Sequence, residues 1–479
     1  MMLKKIFLFL CLAFEYTNVF SSPLTLTEVL ASVNSHFPLI KAQQSQINQA
    51  KDRLFSAKGN FDPSINSYMI SSPAGYYTNG FSNTELSVPI ENTGDRVFAG
   101  YRIGLGSFPV YDQDRWTYNL GEARVGAEIP LWRNHQIDYP RAQLIQSEYK
   151  IGLSKEDLRL MLLSVKRDAS YSYWNWLAEG EKLQIQHQLL SLATERQTVL
   201  EKSFAKGDIP EIEVLDNEQV ILERQIGLAI QRQNFQKAAL LLSLYYRDEN
   251  GYCIVPLQNQ LPSTDFMNFH TYFNLEPANN INQLISKNPV IKQFIDKRNI
   301  AYTNLFLAQN SYLPKLNTEF YVAQDFGGGN PPLNKSSINV ALTFQSPIGR
   351  QYAIGNIAAN MNSISELNSD QKMAYEQLDV DIVNCENQIK LNENIIDLID
   401  QQIVIAIKLQ RAEYIKFHNG DSNLFLVNLR EQLTANAQMK LIDAVANYYK
   451  SIATYQYFTS DAVMVKVRHG SDKNKPFTI

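Results

Sequence analysis

The sequence predicts a mainly α-helical fold with a smaller β part, built from long helical hairpins that occur twice. Three observations lead there. The chain repeats itself at a fixed offset, its longest apolar stripes recur every seven residues, and short stretches alternate apolar with polar residues before a proline.

At 479 residues, with 44 basic and 48 acidic side chains, the chain is longer than one compact core and close to neutral. Two units or an elongated shape are expected, and no basic run points to nucleic acid. Lys4 and Lys5 precede an apolar run from Ile6 to Phe14, followed by Val19-Phe20-Ser21-Ser22. That order reads as a secretory signal peptide over 1–21, outside the fold. Cys11 lies within it, and the preceding Phe9-Leu10 makes no lipoprotein box, so no lipid anchor is expected. Cys253 and Cys385 form no disulfide framework, and whether they pair is left open. No later segment approaches the roughly 18 apolar residues of a membrane helix. The mature chain is therefore expected to be soluble or held in a membrane by strands.

The repeat is direct. Residues 38–66 align without a gap on 289–317, an offset of 251, with ten of 29 positions identical, among them Pro38/Pro289, Leu54-Phe55/Leu305-Phe306 and Pro63/Pro314. A second stretch repeats at an offset of 213: Phe204/Phe417, Gly207-Asp208/Gly420-Asp421, Val214/Val427 and Glu218-Gln219/Glu431-Gln432. The offsets differ by 38 residues, extra length in the first copy between 66 and 204. The expected organisation is a first repeat over 22–246, a linker over 247–280, a second repeat over 281–457 and a tail over 458–479.

Each copy opens with a helix of some 30–37 residues, over 24–60 and 281–311. Thr25 and Glu28 make a capping box, and Asp62-Pro63 and Leu313-Pro314 stop the helices. Strands follow. Ile338, Val340, Leu342 and Phe344 alternate with Asn339, Ala341, Thr343 and Gln345; Ala123, Val125, Ala127 and Ile129 alternate with Arg124, Gly126 and Glu128. Pro130-Leu131 and Pro347-Ile348 end them. Segment 72–118, which also alternates at Val97, Ala99, Tyr101, Ile103 and Leu105, is either a long external loop or additional strand.

A long helical leg is then expected over 140–205 and 351–417, and a return leg over 208–246 and 421–457. Val214, Ile221, Leu228, Phe235 and Leu242 stand seven apart, as do Ile382, Ile389, Ile396 and Ile403. Strict heptads imply coiling against a partner helix. At 1.5 Å per residue the long legs reach about 100 Å and the return legs only about 55–60 Å. The early helices, about 45–55 Å each, supply the missing length by stacking end to end with the return legs. Strands with one apolar face form half a soluble sandwich or part of a lipid-facing barrel. In lipid only a closed barrel satisfies the backbone, and two hairpins are too few for one chain, so several protomers would have to share it.

With these features in order the chain resembles the TolC family of outer-membrane efflux and secretion channels, over essentially all of the mature sequence. The matching motifs are the start from Leu24 to Gln43, the run from Ala50 to Ser64, the Pro-Leu and Pro-Ile strand ends, and both Phe-x-x-Gly tips. The resemblance implies a homotrimer in the bacterial outer membrane. Four strands per chain would form a shared twelve-stranded β-barrel, continued by a periplasmic α-barrel. It further implies a periplasmic adaptor protein and an inner-membrane transporter as partners, outer-membrane lipid around the strands, and passive export with no cofactor. A structural periplasmic stalk is the alternative; it shares the heptads but has no use for the alternating strands.

An enzyme is not expected. The six histidines are scattered, Gly327-Gly328-Gly329-Asn330 lacks the rest of a phosphate loop, and no nucleophile motif occurs. Candidate functional residues lie at the tips: Phe204, Gly207, Asp208, Glu213 and Asp216 in the first copy, Phe417, Gly420, Asp421 and Leu426 in the second. Gly207 is expected as a left-handed helix stop, with Asp208 as N-cap and Glu211 at N3 of the return helix. Glu213 and Asp216, three apart, share a helix face and in a trimer would recur as acidic rings favouring cations. Family members commonly carry acids six and nine positions after the second tip glycine, where this chain has Leu426 and Leu429. The family's basic residue after that glycine is Ser422 here. The resemblance thus implies a constriction at Phe417 and Leu426 with first-copy acids nearby.

Overall fold

A computed structural model describes residues 23–262, 281–329, 332–333 and 335–460; segment 1–21, linker residues 263–280 and tail residues 461–479 lie outside the described residues. The first half of the chain gives α1 (Leu26–His36), α2 (Pro38–Lys58), β1 (Ser64–Ser72), β2 (Asn79–Pro89), β3 (Arg96–Gly106), β4 (Glu122–Pro130), α3 (Tyr139–Ala205) and α4 (Glu211–Ser243). The second gives α5 (Ile281–Lys287), α6 (Pro289–Tyr312), β5 (Lys315–Asp325), β6 (Ser337–Gln345), α7 (Gln351–His418) and α8 (Leu424–Thr459).

The capping box at α1 forms as expected, with Thr25 Oγ1 accepting from the Glu28 amide at 3.3 Å and Glu28 Oε2 from the Thr25 amide at 2.9 Å. The single early helix expected in each copy is two. Phe37 and Asn288 are extended, at ψ 124° and 134°, and divide α1 from α2 and α5 from α6. Pro38 and Pro289 cause the break: each lacks an N–H and drives its predecessor out of the α region.

The helices form a wall. α2 and α4 both lie against α3, while α6 and α8 both lie between α3 and α7. Early helix and return leg therefore share the length of one long leg, the stacking that the helix lengths require. The heptad residues face inward: Leu228, Phe235, Leu242, Ile382, Ile389 and Ile403 are buried. At the waist, where the end-to-end helices meet, α1 and α5 fill the gap. Val29, Val33, Ile285, Trp176 and Tyr455 are fully buried there, and the Trp174 ring stacks on Tyr449 at 3.9 Å. Cys253 is exposed and Cys385 buried, and both are free thiols.

At one end of the wall the chain enters a single antiparallel sheet of order β1-β2-β3-β4-β5-β6. The implied four strands per chain are six, because segment 72–118 forms β2 and β3 in register with β1 and β4. Val97, Ala99, Tyr101, Ile103 and Leu105 of β3 continue the apolar face of β4 and are paired on their other side by β2, so the longer first copy adds strands to the sheet. The twelve-strand count falls with it. The register separates two faces. One carries Ile65, Met69, Leu86, Val97, Tyr101, Val125, Phe320, Val322, Ile338, Val340 and Leu342. The other carries charge knit across strands: Arg96 to Glu85 at 2.6 Å and to Glu128 at 3.0 Å, Arg124 to Glu85 at 3.0 Å, and Arg102 to Glu122 at 2.7 Å. The apolar face points to solvent in the isolated chain, with Val340 71% exposed. Among the described residues the edge strands β1 and β6 each have a free side.

Candidate functional site at the hairpin tips

At the far end from the sheet, both hairpins turn in the same way. Gly207 and Gly420 adopt φ of 80° and 82°, the left-handed region glycine enters without steric cost. The Gly207 amide donates to Phe204 O at 2.8 Å and the Asp208 amide to Ser203 O at 2.9 Å. In the second copy Gly420 donates to Phe417 O at 3.1 Å and Asp421 to Lys416 O at 2.9 Å. Each is a Schellman stop, with glycine at C′ and aspartate at C″. This corrects the expected capping. Asp208 closes the long helix and does not cap the return helix. Pro210, extended, takes the N-cap position of α4, and Glu211 is its first residue. Glu213 sits in the first turn, where the helix dipole favours a carboxylate. Asn423 caps α8 by accepting from the Leu426 amide at 3.0 Å. Ser422 donates to Glu413 at 2.5 Å, fastening the second tip to its own long leg.

Behind the tips a polar network joins the two hairpins. Glu431 of α8 accepts from Arg196 of α3 and, at 2.7 Å, from Arg224 of α4. Arg196 also donates to Asn428 at 2.5 Å, and Arg224 to Leu189 O at 2.6 Å. Asn217 donates to Ala193 O at 3.0 Å and to Gln197 at 2.8 Å. The side chains of Arg224, Glu431 and Arg196 are 4%, 5% and 11% exposed, so the charges pair almost without solvent.

Two clefts flank this network. Phe417, half-buried, lies in the one between α3 and α7 with Val199, Leu200 and Tyr414. Asp216 lies in the other, between α4 and α8, with Glu223, Phe425 and Leu429. Phe204 and Asp421 are exposed, and Glu213 and Leu426 half-exposed. Within one chain Asp216 and Phe417 therefore line different clefts. Among the described residues no cluster of His, Cys, Asp and Glu is arranged to hold a metal ion. No described helix is long and apolar enough to cross a membrane.

Solved channels share this arrangement from end to end. The Campylobacter jejuni outer membrane channel CmeC superposes with a TM-score of 0.62 at 14% identity, over 93% of this chain and 87% of its own. The open-state Neisseria gonorrhoeae channel MtrE gives 0.65 at 12% identity, over 91% and 88%. The Vibrio cholerae outer membrane protein VceC gives 0.61 at 12% identity, over 91% and 96%. The chain has the outer-membrane-channel fold. No protein-family model matches the sequence, and no curated protein matches it. At this identity the shared property is the TolC-type fold that the ordered motifs implied.

Within that channel fold, the residues the motif reading missed are Arg196, Asn217, Arg224, Asn428 and Glu431. Two of them, Asn217 and Arg224, carry a signal in the heptads. Asn217, Arg224 and Gln231 each stand three residues after a heptad residue, Val214, Ile221 and Leu228, on the second seam position where a coiled coil takes apolar side chains. A polar residue buried on that seam needs a partner, and its usual use is to fix register.

Proposed function

We propose that the chain is one protomer of a homotrimeric exit duct in the bacterial outer membrane. The duct serves a tripartite efflux pump or a type I secretion system. It passes substrates passively from an inner-membrane transporter, joined through a periplasmic adaptor, to the exterior. The observation that carries this reading is the sheet: an apolar face, an ion-paired polar face, and a free side on each of β1 and β6. Strands of 9–11 residues match the length that crosses a bilayer. With the apolar face to lipid, β6 of one copy pairs antiparallel with β1 of the next. Three copies of six strands close an eighteen-stranded barrel. The wall supports the same symmetry. Its outer helices leave apolar stripes uncovered, Ile212, Leu222, Ile226 and Ile230 on α4 and Met373, Val380, Leu391 and Leu398 on α7, which neighbouring copies would cover.

In this reading residues 1–21 are the export signal, and the two repeats supply the two hairpins of each protomer. The tips around Gly207 and Gly420 form the periplasmic mouth. Glu213 and Asp216 give it acidic rings, Phe417 and Leu426 narrow it, and the Glu431 network holds it closed. Cysteine pairs scanned along β1 and β6 test the assembly. Oxidation in membranes is expected to give covalent dimers and trimers and nothing larger; monomers at every pair would refute it.

A further inference from the structure

The connection between β3 and β4 lies on one face of the sheet, and that face is the charged one. Residues 108–117, including a 3₁₀ turn over Val110–Arg115, cover the ends of the strands farthest from the helices. Arg102, of the charged face, donates to Asp114 O at 3.0 Å. The Arg115 guanidinium lies over the Phe81 ring at 5.7 Å, and Asp325 accepts from the Tyr118 amide at 2.9 Å. Phe81, Arg102, Gly104 and Asp325 all belong to the charged face by register. Gly104 is decisive. A Cβ added there, pointing off that face, would fall 1.9 Å from Arg115 O. The segment is seated so closely that only glycine leaves it room. Thr117 Oγ1 accepts from the Gly104 amide at 3.0 Å, and Phe108 at the start of the segment and Tyr118 just after it are buried. Tyr111, 84% exposed, and Val110, Gln113 and Asp114 are open to solvent.

We propose that this segment is an outer constriction folded inside the barrel. The inference rests on the exit-duct reading, which turns the charged face to the lumen. An eighteen-stranded barrel leaves an aqueous channel wide enough to need narrowing. Three copies of the segment, each presenting Val110, Tyr111, Gln113 and Asp114, narrow its external mouth and set an upper size on what leaves. The contacts hold the segment without a covalent tie, so a single added methyl group displaces it while the strand stays intact.

The test places a cysteine on the charged face below the segment, Ala341→Cys in a Cys253→Ser background. Membrane-impermeant maleimides of graded size are added outside intact cells. With the native segment the small reagent labels and the large one lags by about tenfold or more, as at a narrow aqueous pore. Gly104→Ala, and separately replacement of 109–116 by a short Gly-Ser turn, are expected to bring the large reagent close to the small one. An unchanged ratio of large to small labelling in both variants overturns the constriction while leaving the duct standing. If even the small reagent fails to label in every variant, there is no water-filled lumen, and the duct reading falls together with the constriction.

Discussion

Glu431→Gln is the most informative single change at the tips. The carboxylate accepts from two guanidinium groups on two helices of the other hairpin, and glutamine keeps the volume while removing the charge. Arg224 is then left 4% exposed beside a neutral oxygen. Breaking a buried pair from one side costs about 3–5 kcal/mol. Arg224 keeps its bond to Leu189 O, which puts the change at the lower end, about 3 kcal/mol. That corresponds to more than about a hundredfold in the local opening equilibrium. Hydrogen exchange read peptide by peptide measures it. Amides of α3, α4 and α8 near the tips are expected to lose protection, while those around Trp176 and Tyr455 keep theirs. Unchanged exchange at the tips, or an equal loss at the waist, would refute the idea that Glu431 fastens one hairpin to the other.

Neutralising the first-copy acids with Glu213→Gln and Asp216→Asn is expected to weaken cation preference in single-channel recordings; unchanged selectivity removes them from the mouth. Gly207→Ala and Gly420→Ala meet no atom within 4 Å, so each carries only the left-handed backbone strain, about 1 kcal/mol. Chemical denaturation followed by helix signal should show similar losses for the two, and a large loss at either would mean a contact is missing from this account. Burial first, then Asp381 and Glu386, push the Cys385 thiol up to about 11. Of Cys253 and Cys385, only Cys253 is therefore expected to react quickly with maleimide at neutral pH, and fast labelling of Cys385 would contradict the packing of α7.

Much of this fold was legible because periodicity and repetition are long-range signals. Seven-residue spacing located the seams that bury Leu242 and Ile389, and the second copy of the Gly-Asp break showed the first to be a hairpin tip. Local chemistry was harder to read. Asp208 looks like an N-cap until Pro210 is seen to set the start of α4, which leaves the aspartate closing α3. Pro38 was in plain view, yet apolar periodicity ran across it and hid the corner at Phe37. β3 is ambiguous between loop and strand because glycines at 100, 104 and 106 weaken the strand signal, and β2 because polar Ser82 and Thr84 share the face of Leu86. The structure shows Gly104 making room for a folded segment. The Glu431 network was missed because its members stand on three helices, with Glu431 far in sequence from both arginines. Only helix packing brings Arg196, Arg224 and Glu431 together.

The claim that three copies close one water-filled barrel is tested most directly by the purified, detergent-solubilised protein, with mass and conductance measured on the same preparation. Complexes of three chains that insert into planar bilayers and give discrete aqueous conductance steps are expected. Single chains that never conduct would contradict it.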